Sequence, residues 1–276
     1  MTWPSWNSPA PEKLGGVSES PAPGSTPVRL ITFNTHHGVG GDQRHDLPRL
    51  AQVLARADAD VICLQEVDRY FGERSEDVDQ AELLSRGLDM QLAWAPSIEE
   101  PRAGSSPRQY GNALLSRLPI LASDMHRLPG SGEPRSALNA LVDLDGATLR
   151  ITTTHLSGGD PGRRAEQVAA LAALHADPAE AGVVVGDFNT GPDAAELTAL
   201  RGRFTDAWEL AQERDDRAGW RFWHRGHGDT FPARGADRRI DQVWVTPGVE
   251  VTAARVLRGE GASDHLPVVV DLVVPG

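Results

Sequence analysis

Residues 183–189 read Val183-Val184-Val185-Gly186-Asp187-Phe188-Asn189, and the fold assignment starts from this stretch. Three consecutive β-branched residues favour a buried strand. The strand runs directly into a carboxylate and an amide, Asp187 and Asn189, which are costly to bury without partners. The stretch therefore predicts a core strand that delivers polar groups to one end of a sheet.

The same pattern, an apolar β run beside an acid, amide or histidine, occurs elsewhere along the chain. One such residue alone is usually a solvated rim residue or a turn former. If the strand ends share one edge, however, these groups converge in a single polar cluster. The further members are Asn34, Glu66, His155, Asp241 and the pair Asp264-His265.

The composition of this cluster favours a hard divalent cation. Mg²⁺ and Mn²⁺ prefer oxygen ligands and keep part of their shell open to water and substrate. A zinc site would more typically use cysteine or several histidines, and Cys63 is the only cysteine of the chain. The remaining groups suit phosphoryl chemistry, which needs a base for water, donors for phosphate oxygens and an acid for the leaving group.

The rest of the chain predicts two packed, mainly antiparallel sheets flanked by helices, within the α/β class. Turn residues between the short β runs of residues 91–155 indicate hairpins rather than helical crossovers. Strands are predicted at 28–33, 60–64, 91–95, 113–116, 120–128, 137–144, 148–155, 183–185, 240–245, 249–257 and 268–273. Helices are predicted around 47–54, 79–88, 161–175 and 194–200.

The domain is expected to span residues 28–276 as one unit, without internal repeats. Residues 1–27 contain six prolines, three glycines and five serines. Such a composition buries too little apolar surface to order itself, so this segment is predicted to be a disordered tail.

Charge and hydropathy narrow the function classes. The formal net charge is −12, and Lys13 is the only lysine among 27 basic residues. This balance weakens the case for a protein that coats nucleic acid through bulk charge, although metal ions can supply a local positive field. No stretch approaches 18 apolar residues, and the N-terminus lacks the features of a signal peptide. A cytoplasmic, soluble monomer is expected.

The ordered motifs resemble the endonuclease/exonuclease/phosphatase superfamily, from about residue 28 to residue 274. The resemblance implies a four-layer α/β/β/α sandwich and hydrolysis of phosphate esters. The matching pieces, in family order, are Phe33-Asn34, Leu64-Gln65-Glu66, residues 111–117, Thr154-His155-Leu156, Gly186-Asp187-Phe188-Asn189, Thr230-Phe231, Arg239-Ile240-Asp241 and Ser263-Asp264-His265.

The resemblance also implies residue roles. Glu66, Asn34 and Asp264 resemble the ligands of a Mg²⁺ or Mn²⁺ ion. Asp187 resembles the residue that orients or deprotonates the attacking water, and Asp241 resembles a carboxylate that orients a histidine. The groups that contact the phosphate or the leaving oxygen would be His155, Asn189 and His265.

Further side chains are candidates for substrate contact, each with a structural alternative. Arg135 precedes a strand and is either a phosphate clamp or half of a surface ion pair. Arg164 either contacts substrate or, with Gln167, supports His155 from the following helix. The remaining candidates are Tyr110, Asn112, His36 and the basic and aromatic segment 212–239, which includes Trp220, Phe222 and Trp223.

The sequence departs from DNA-repair members of the superfamily after Asn34. Those relatives tend to carry an acid two residues later, where this chain has His36, followed by His37. The departure makes an abasic-site repair role doubtful. His36 and His37 are open to three interpretations, as secondary metal ligands, phosphate donors or packing residues.

The sequence thus predicts a metal-dependent phosphodiesterase or phosphatase. A small-molecule or lipid-headgroup phosphate ester is favoured as substrate by the acidic charge. The alternatives are a DNA or RNA nuclease of the same fold and a catalytically silent binding module.

Overall fold

The computed structural model describes residues 24–177, 179–216 and 226–276. The strands within them are β1 Ser25–Asn34, β2 Val61–Arg69, β3 Gln91–Glu100, β4 Arg108–Ser116, β5 Ile120–Arg127, β6 Ser136–Asp143, β7 Thr148–His155, β8 Gly182–Asp187, β9 Thr205–Asp206, β10 Glu213–Asp215, β11 Asp241–Val245, β12 Glu250–Val256 and β13 Val268–Pro275. The α-helices are α1 Leu47–Ala57, α2 Gln80–Leu88, α3 Pro161–Leu174, α4 Thr198–Arg201 and α5 Ala207–Leu210.

These strands form two mixed sheets. The first has the order β10-β12-β13-β1-β2-β4-β3, and the second has the order β5-β6-β7-β8-β11-β9. Most neighbouring pairs are antiparallel, and the parallel pairs are β1 with β2, β7 with β8 and β10 with β12. The predicted hairpins β3–β4, β5–β6 and β6–β7 are confirmed. A hairpin between β4 and β5 was wrong, because these strands lie in different sheets, and β7, α3 and β8 form a crossover unit.

Alternation along the strands explains why the molecule has four layers. In β1, Val28 and Leu30 face a core shared by the two sheets, whereas Ile31 and Phe33 face the opposite side. That opposite side is covered by α1 and α2, and the outer face of the second sheet is covered by α3. The predicted α/β/β/α sandwich is therefore confirmed.

The helices begin where the sequence supplies caps. The carboxylates of Asp46, Asp79 and Asp160 each accept a hydrogen bond from a backbone N–H of the first turn of α1, α2 and α3. Proline occupies the first turn of α1 and α3, where its missing N–H is harmless. The predicted helices at these three places are confirmed within a few residues.

Other predicted boundaries were wrong. Strand β1 begins at Ser25 rather than at residue 28, because residues 25–27 pair with residues 273–275 of β13. Residues 194–200 contain a 3₁₀ turn followed by the short helix α4. The elements β9, β10 and α5 were not predicted.

Two predicted segments fall outside the described residues. These are the tail up to residue 23 and the central part of the basic and aromatic segment, residues 217–225. The disordered tail and the role of Trp220, Phe222 and Trp223 stay predictions. None of the described helices is long and apolar enough to cross a membrane.

Candidate active site

Strand register brings the polar strand ends of both sheets to one edge. Strands β1 and β2 run parallel, so Asn34 at the end of β1 lies beside the part of β2 that carries Glu66. In the second sheet, Asp187 at the end of β8 is paired with His155 of β7 on one side and Asp241 of β11 on the other. The predicted convergence of these side chains is thus present in the structure.

Asn34 connects the two sheets at this edge. It is fully buried, and its Nδ2 donates to Glu66 Oε1 and to Asp187 Oδ2, each at 3.0 Å. Its Oδ1 accepts the backbone N–H of His36 at 3.0 Å. One amide therefore fixes the spacing between two carboxylates that come from different sheets.

Glu66 lies on a β-bulge inside β2, not beyond the end of that strand as the sequence suggested. The pairing of β2 with β4 shifts between Leu64 and Val67, and Glu66 has a φ of 56°. Thr35 Oγ1 lies 2.9 and 3.0 Å from the carbonyl oxygens of Gln65 and Glu66. Bulges redirect side chains at active sites, and this one turns Glu66 toward Asn34.

The Glu66 carboxylate is ionised. Burial opposes its negative charge, but His37, with Nδ1 3.8 Å from Oε2, and the hydrogen bond from Asn34 hold the pKa of Glu66 below its usual range. The side chain keeps 20% of its surface exposed. A charged carboxylate with an open side is a ligand that a divalent cation can reach.

His265 lies between two aspartates. Its Nδ1 is 2.8 Å from Asp241 Oδ2, and its Nε2 is 3.7 Å from Asp187 Oδ2. Burial opposes a positive charge on His265, but the two carboxylates raise its pKa to about 10. Burial and the charge of Asp241 raise the pKa of Asp187 above its usual range. The cluster thus joins an imidazolium to a carboxylate that is more basic than usual.

His155 is neutral, in contrast to His265. Burial and the positive charge of Arg135 lower the pKa of His155 to about 3. Its Nδ1 lies 3.2 Å from Arg135 Nη1, and its Nε2 lies 2.9 Å from Asn189 Nδ2 and 3.4 Å from Asp187 Oδ2. Three of the predicted site residues, His155, Asn189 and Arg135, therefore form one contiguous row.

Arg135 carries a buried donor that is not satisfied by the described residues. Its side chain is only 10% exposed, and Nη1 pairs with Glu133 Oε1 at 2.8 Å. Its Nε is buried without a hydrogen-bond partner. Buried polar groups are rarely left unpaired in folded proteins, so the hydrogen-bonding capacity of Arg135 is not fully used by its neighbours.

Two arrangements of side chains are relevant to a metal ion. The ligand atoms of Asp187, Asp241 and His265 lie within 4.8 Å of one another, a spacing that could hold an ion. A protonated imidazole, however, has no lone pair for a metal. Asp264 lies on a more open side, 40% exposed, with Oδ1 3.8 Å from His36 Nδ1. Glu66, Asn34 and Asp264 supply only oxygen ligands, which suits a hard cation.

Two of the predicted substrate contacts, Tyr110 and Asn112, lie on β4. Tyr110 lies beside Arg135, and its ring is 6.2 Å from that of Phe71. Asn112 is buried and donates to the Ser136 carbonyl at 2.9 Å, which ties β4 to β6. Asn112 therefore holds the two sheets together next to Arg135, and its role in substrate contact stays a prediction.

Arg164 is directed away from the row formed by Arg135 and His155. Its Nε and Nη2 donate to Glu196 Oε1, and its Nη1 donates to the Ser157 carbonyl. Gln167 also binds Ser157: its Oε1 accepts the backbone N–H of Ser157, and its Nε2 donates to Ser157 Oγ. These contacts link the segment after His155 to residue 196, as expected for support of His155, whereas substrate contact by Arg164 stays a prediction.

Two residues that organise the site received no role from the sequence. Gln65 is buried and donates to Thr153 Oγ1 at 3.0 Å, which joins the two sheets below Asn34. The ring of Phe231 lies 4.7 Å from the ring of His265. A polar residue next to an apolar β run was the available signal for Gln65, and the family motif Thr230-Phe231 was the available signal for Phe231.

Comparison with known proteins assigns the chain to a family. The sequence profile described as the endonuclease/exonuclease/phosphatase family matches residues 31–265, from β1 to the histidine that precedes β13. The chain belongs to this family. Its name covers nucleases and phosphatases, which are hydrolases of phosphate esters.

Relatives of the family span almost the whole chain. The uncharacterized protein YbhP of Escherichia coli strain K12 is 25% identical over an alignment of 259 positions, which covers 88% of this chain and 95% of that protein. An endonuclease/exonuclease/phosphatase from Beutenbergia cavernae has a TM-score of 0.72 and 27% identity, over 91% of this chain and 72% of its own.

A functionally described protein shares the fold at lower identity. The mannosyl-6-phosphatase Bt3783 of Bacteroides thetaiotaomicron has a TM-score of 0.68 and 20% identity, over 89% of this chain and 99% of its own. At this identity the likeness shows the fold alone.

Proposed function

We propose that this protein is a divalent-metal-dependent phosphoesterase that hydrolyses its substrate by in-line attack of water. The observation that carries the proposal is the hydrogen-bonded cluster at the shared edge of the two sheets. It joins an ionised Glu66, a basic Asp187 and a cationic His265 through Asn34 and Asp241. Each of these states suits a different part of phosphoryl transfer.

The metal ion would be held by Glu66, with Asn34 and Asp264, and Mg²⁺ and Mn²⁺ match this oxygen set. When bound, such an ion supplies positive charge that polarises the phosphoryl group and stabilises the leaving oxygen. The ionised and partly exposed state of Glu66 supports this assignment.

Asp187 is placed to orient the attacking water. Its Oδ1 accepts the backbone N–H of Asn189 at 2.8 Å, and its Oδ2 accepts Asn34 Nδ2. These bonds fix the plane of the carboxylate, and its raised pKa makes it a better proton acceptor near neutral pH. Asp187 would therefore hold a proton of the water during the attack.

The phosphate would be held by donors on both sides of Asp187. His265 is a cation oriented by Asp241, and it stabilises negative charge that develops in the transition state. Arg135 would contribute its guanidinium group, and Asn189 is proposed to contact the phosphate beside the neutral His155. Arg135 is thus proposed as the phosphate clamp.

Two observations favour a small polar phosphate ester over nucleic acid or a long acyl chain. A cleft of about 460 Å³ opens beside Asn189, and its walls include the charged residues Asp193, Glu209, Asp237 and Arg239. Charges of both signs suit a polar leaving group. The net charge of −12 disfavours a long polyanion. The mannosyl-6-phosphatase with this fold provides a precedent for a small phosphate ester.

Nuclease activity is the second candidate, because the family name includes endonucleases and exonucleases. A panel assay separates the candidates: phosphate release or product formation from sugar phosphates, inositol phosphates, sphingomyelin, plasmid DNA and RNA, each with Mg²⁺ or Mn²⁺. Nucleic-acid cleavage would also weaken steeply as salt rises. A cytoplasmic location and a monomeric state stay predictions.

Two variants test the site itself. Glu66→Gln and His265→Ala are expected to abolish metal-dependent turnover while the folded state remains, as judged by circular dichroism. Wild-type turnover in either variant would contradict the assignment. No metal-stimulated turnover of any ester by the wild-type protein would favour the silent binding module.

A further inference from the structure

Arg74 is a second arginine near the site, and no role follows for it from the family motifs. It lies in the turn after β2 and forms a forked pair with Asp68, from Nε to Oδ2 at 2.8 Å and from Nη2 to Oδ1 at 2.7 Å. Asp68 is completely buried, whereas the Arg74 side chain is 40% exposed. The Arg74 side chain is therefore in contact with solvent, whereas the Asp68 carboxylate that balances its charge is not.

Two aromatic rings hold the Arg74 guanidinium in place. Its Cζ lies 4.2 Å from the ring centre of Phe71 and 5.5 Å from that of Tyr110. The fork to Asp68 and these stacking contacts fix the side chain before any ligand arrives. A fixed arginine loses little conformational freedom on binding an anion, which favours affinity.

One side of the guanidinium is available for a ligand. The contacts with Asp68 use Nε and Nη2, and no hydrogen bond joins Nη1 to any described residue. An unpaired Nη1 retains two N–H donors of fixed direction. This geometry matches an oxygen of a phosphate or carboxylate group.

Tyr110 connects Arg74 to the phosphate clamp. The Tyr110 ring contacts Arg74 on one side, and the Arg135 guanidinium lies beside its hydroxyl. Glu66 is close enough that its charge acts on both Tyr110 and Arg74. Arg74 is thus one aromatic ring away from the proposed phosphate position, on the exposed side of it.

We propose that Arg74 forms an anion subsite that binds a second phosphate group of the substrate, next to the scissile phosphate held at Arg135. This subsite rests on the proposed function, because that function places the scissile phosphate. It assigns the substrate to the class of small phosphate esters with a second phosphate. The guanidinium groups of Arg74 and Arg135 would each bind one of the two phosphate groups.

A matched arginine in the same region provides the control. Arg69 also pairs with a buried aspartate, Asp79, at 2.6 Å, and its Cζ lies 5.4 Å from the ring centre of Trp94. It is 26% exposed, so it resembles Arg74 in pairing, stacking and exposure. Among the described residues no hydrogen bond or cation–π contact joins it to Tyr110, and it is not expected to affect anion binding.

The test compares one anion with two on the same carbon chain. Calorimetry measures the affinity of propylphosphonate and of propane-1,3-diphosphonate, whose C–P bonds resist ester hydrolysis, with Mg²⁺ in excess of ligand. We expect the diphosphonate to bind about tenfold more tightly or better than the monophosphonate. This preference is expected to disappear in Arg74→Gln and to persist in Arg69→Gln, while monophosphonate affinity changes little in either.

Arg74→Lys covers the case in which Arg74→Gln does not fold. Lysine keeps the charge but cannot form the fork, so the preference should fall to an intermediate value. Equal affinity of the wild-type protein for the two ligands, or an unchanged preference in Arg74→Gln, would overturn the subsite. Oligothymidylate is titrated in parallel. If the affinity for oligothymidylate, and not that for the diphosphonate, depends on Arg74, the second anion is a nucleic-acid backbone and the small-molecule assignment is overturned.

Failure of this subsite is distinguishable from failure of the proposed function. Glu66-dependent turnover with no diphosphonate preference removes the subsite and leaves the phosphoesterase assignment intact. Absence of both turnover and phosphonate binding contradicts the two together.

Discussion

Opposite ionisation states of similar residues define the site at the scale of single side chains. His265 and His155 are both buried, yet the pKa of the first is raised to about 10 and that of the second is lowered to about 3. The difference follows from their neighbours, since Asp241 contacts His265 and Arg135 contacts His155. A cation and a neutral ring can therefore take different parts in one reaction.

Asp241→Asn tests the dependence of His265 on its carboxylate. The substitution keeps the shape but removes the charge that raises the pKa of His265. Turnover number is expected to fall by about 10²–10⁴-fold with a smaller change in KM, because the imidazolium acts in the transition state. The alkaline loss of activity should also move to lower pH, since the imidazolium then deprotonates more easily.

Steady-state kinetics across pH provides the measurement for Asp241→Asn. Asp124→Asn serves as control, because Asp124 also pairs with a histidine, His126, but on the exposed strand β5. An Asp241 variant with an unchanged pH profile would show that His265 does not act as the proposed cation.

Individual site residues were predictable to different degrees. Asn34, Asp187 and His155 stand at strand ends, where their polarity contrasts with the apolar run before them. Arg74 lies in a polar turn, so its charge does not stand out from its sequence neighbours. Its position depends on Asp68 of β2 and on Tyr110 of β4. Contacts between distant segments do not leave a local pattern, so the sequence did not reveal them.

At the scale of elements, the bulge in β2 determines where Glu66 points. A regular strand would alternate side chains between two faces, and the extra residue at the bulge changes that order. Thr35, from the end of β1, holds the carbonyl oxygens of the bulge. One hydroxyl thus couples the geometry of two neighbouring strands.

Thr35→Val is expected to weaken both the fold and the activity. Valine has a similar shape but removes the hydroxyl donor to the Gln65 and Glu66 carbonyl oxygens. The Gln65 oxygen keeps the backbone N–H of Thr35, so the free energy of unfolding is expected to fall by about 1 kcal/mol. Glu66 would lose its fixed direction, so the metal concentration needed for half-maximal turnover should rise. Urea unfolding and metal titration measure the two effects.

Thr35→Ser restores the hydroxyl and should recover most of both properties. If Thr35→Val retains wild-type stability and metal response, the hydroxyl does not hold the bulge.

Position 186 of β8 accepts only glycine without strain. It has a φ of +139°, and a Cβ at this position would lie 1.9 Å from the Thr154 carbonyl oxygen of β7. Gly186→Ala is expected to destabilise the protein by about 3 kcal/mol or more, because backbone strain and overlap both oppose it. Thermal or urea unfolding measures the loss.

The control for this substitution is Gly191→Ala, since a Cβ at position 191 would have no neighbouring atom within 4 Å and Gly191 has no positive φ. Equal stability of the two alanine variants would contradict the steric argument.

Long periodic elements were predictable, and short ones were not. Helix α1 shows its buried face through Leu47, Leu50 and Leu54, and a capping aspartate marks its start. Strands β9 and β10 contain two and three residues, too few to show a period, and they form only because β11 and β12 offer edges. Their existence is a property of the assembled sheet.

At the scale of the whole molecule, the sequence identified the family better than the substrate. Motifs in a fixed order identify a site that many members of a family share. The proposed subsite at Arg74 and the cleft beside Asn189 each combine residues from distant segments, whose side chains meet only in the folded protein. Substrate choice is therefore expected to depend on the parts of the chain with the weakest local signals.

The stability of the folded protein as a whole should depend on the protonation of His175, which lies far from the proposed metal ligands in sequence. It is 2% exposed, its Nε2 lies 2.9 Å from Thr152 Oγ1, and the ring of Phe204 packs edge-on against it. Burial and the charge of Arg150 lower the pKa of His175 from 6.5 to about 4. The folded state thus binds this proton less readily than the unfolded state.

This difference fixes the direction of the pH effect. The contribution of neutral His175 is fully present above pH 6.5 and is lost as the pH falls toward 4, with no further loss below that value. The loss amounts to about 3 kcal/mol, because one pKa unit corresponds to about 1.4 kcal/mol. Urea unfolding of the wild-type protein and of His175→Gln between pH 4 and 8 measures it. The difference in unfolding free energy between the two proteins should shrink as the pH falls, because glutamine keeps a hydrogen-bonding group but does not titrate. A difference that stays constant with pH would show that protonation of His175 does not affect stability.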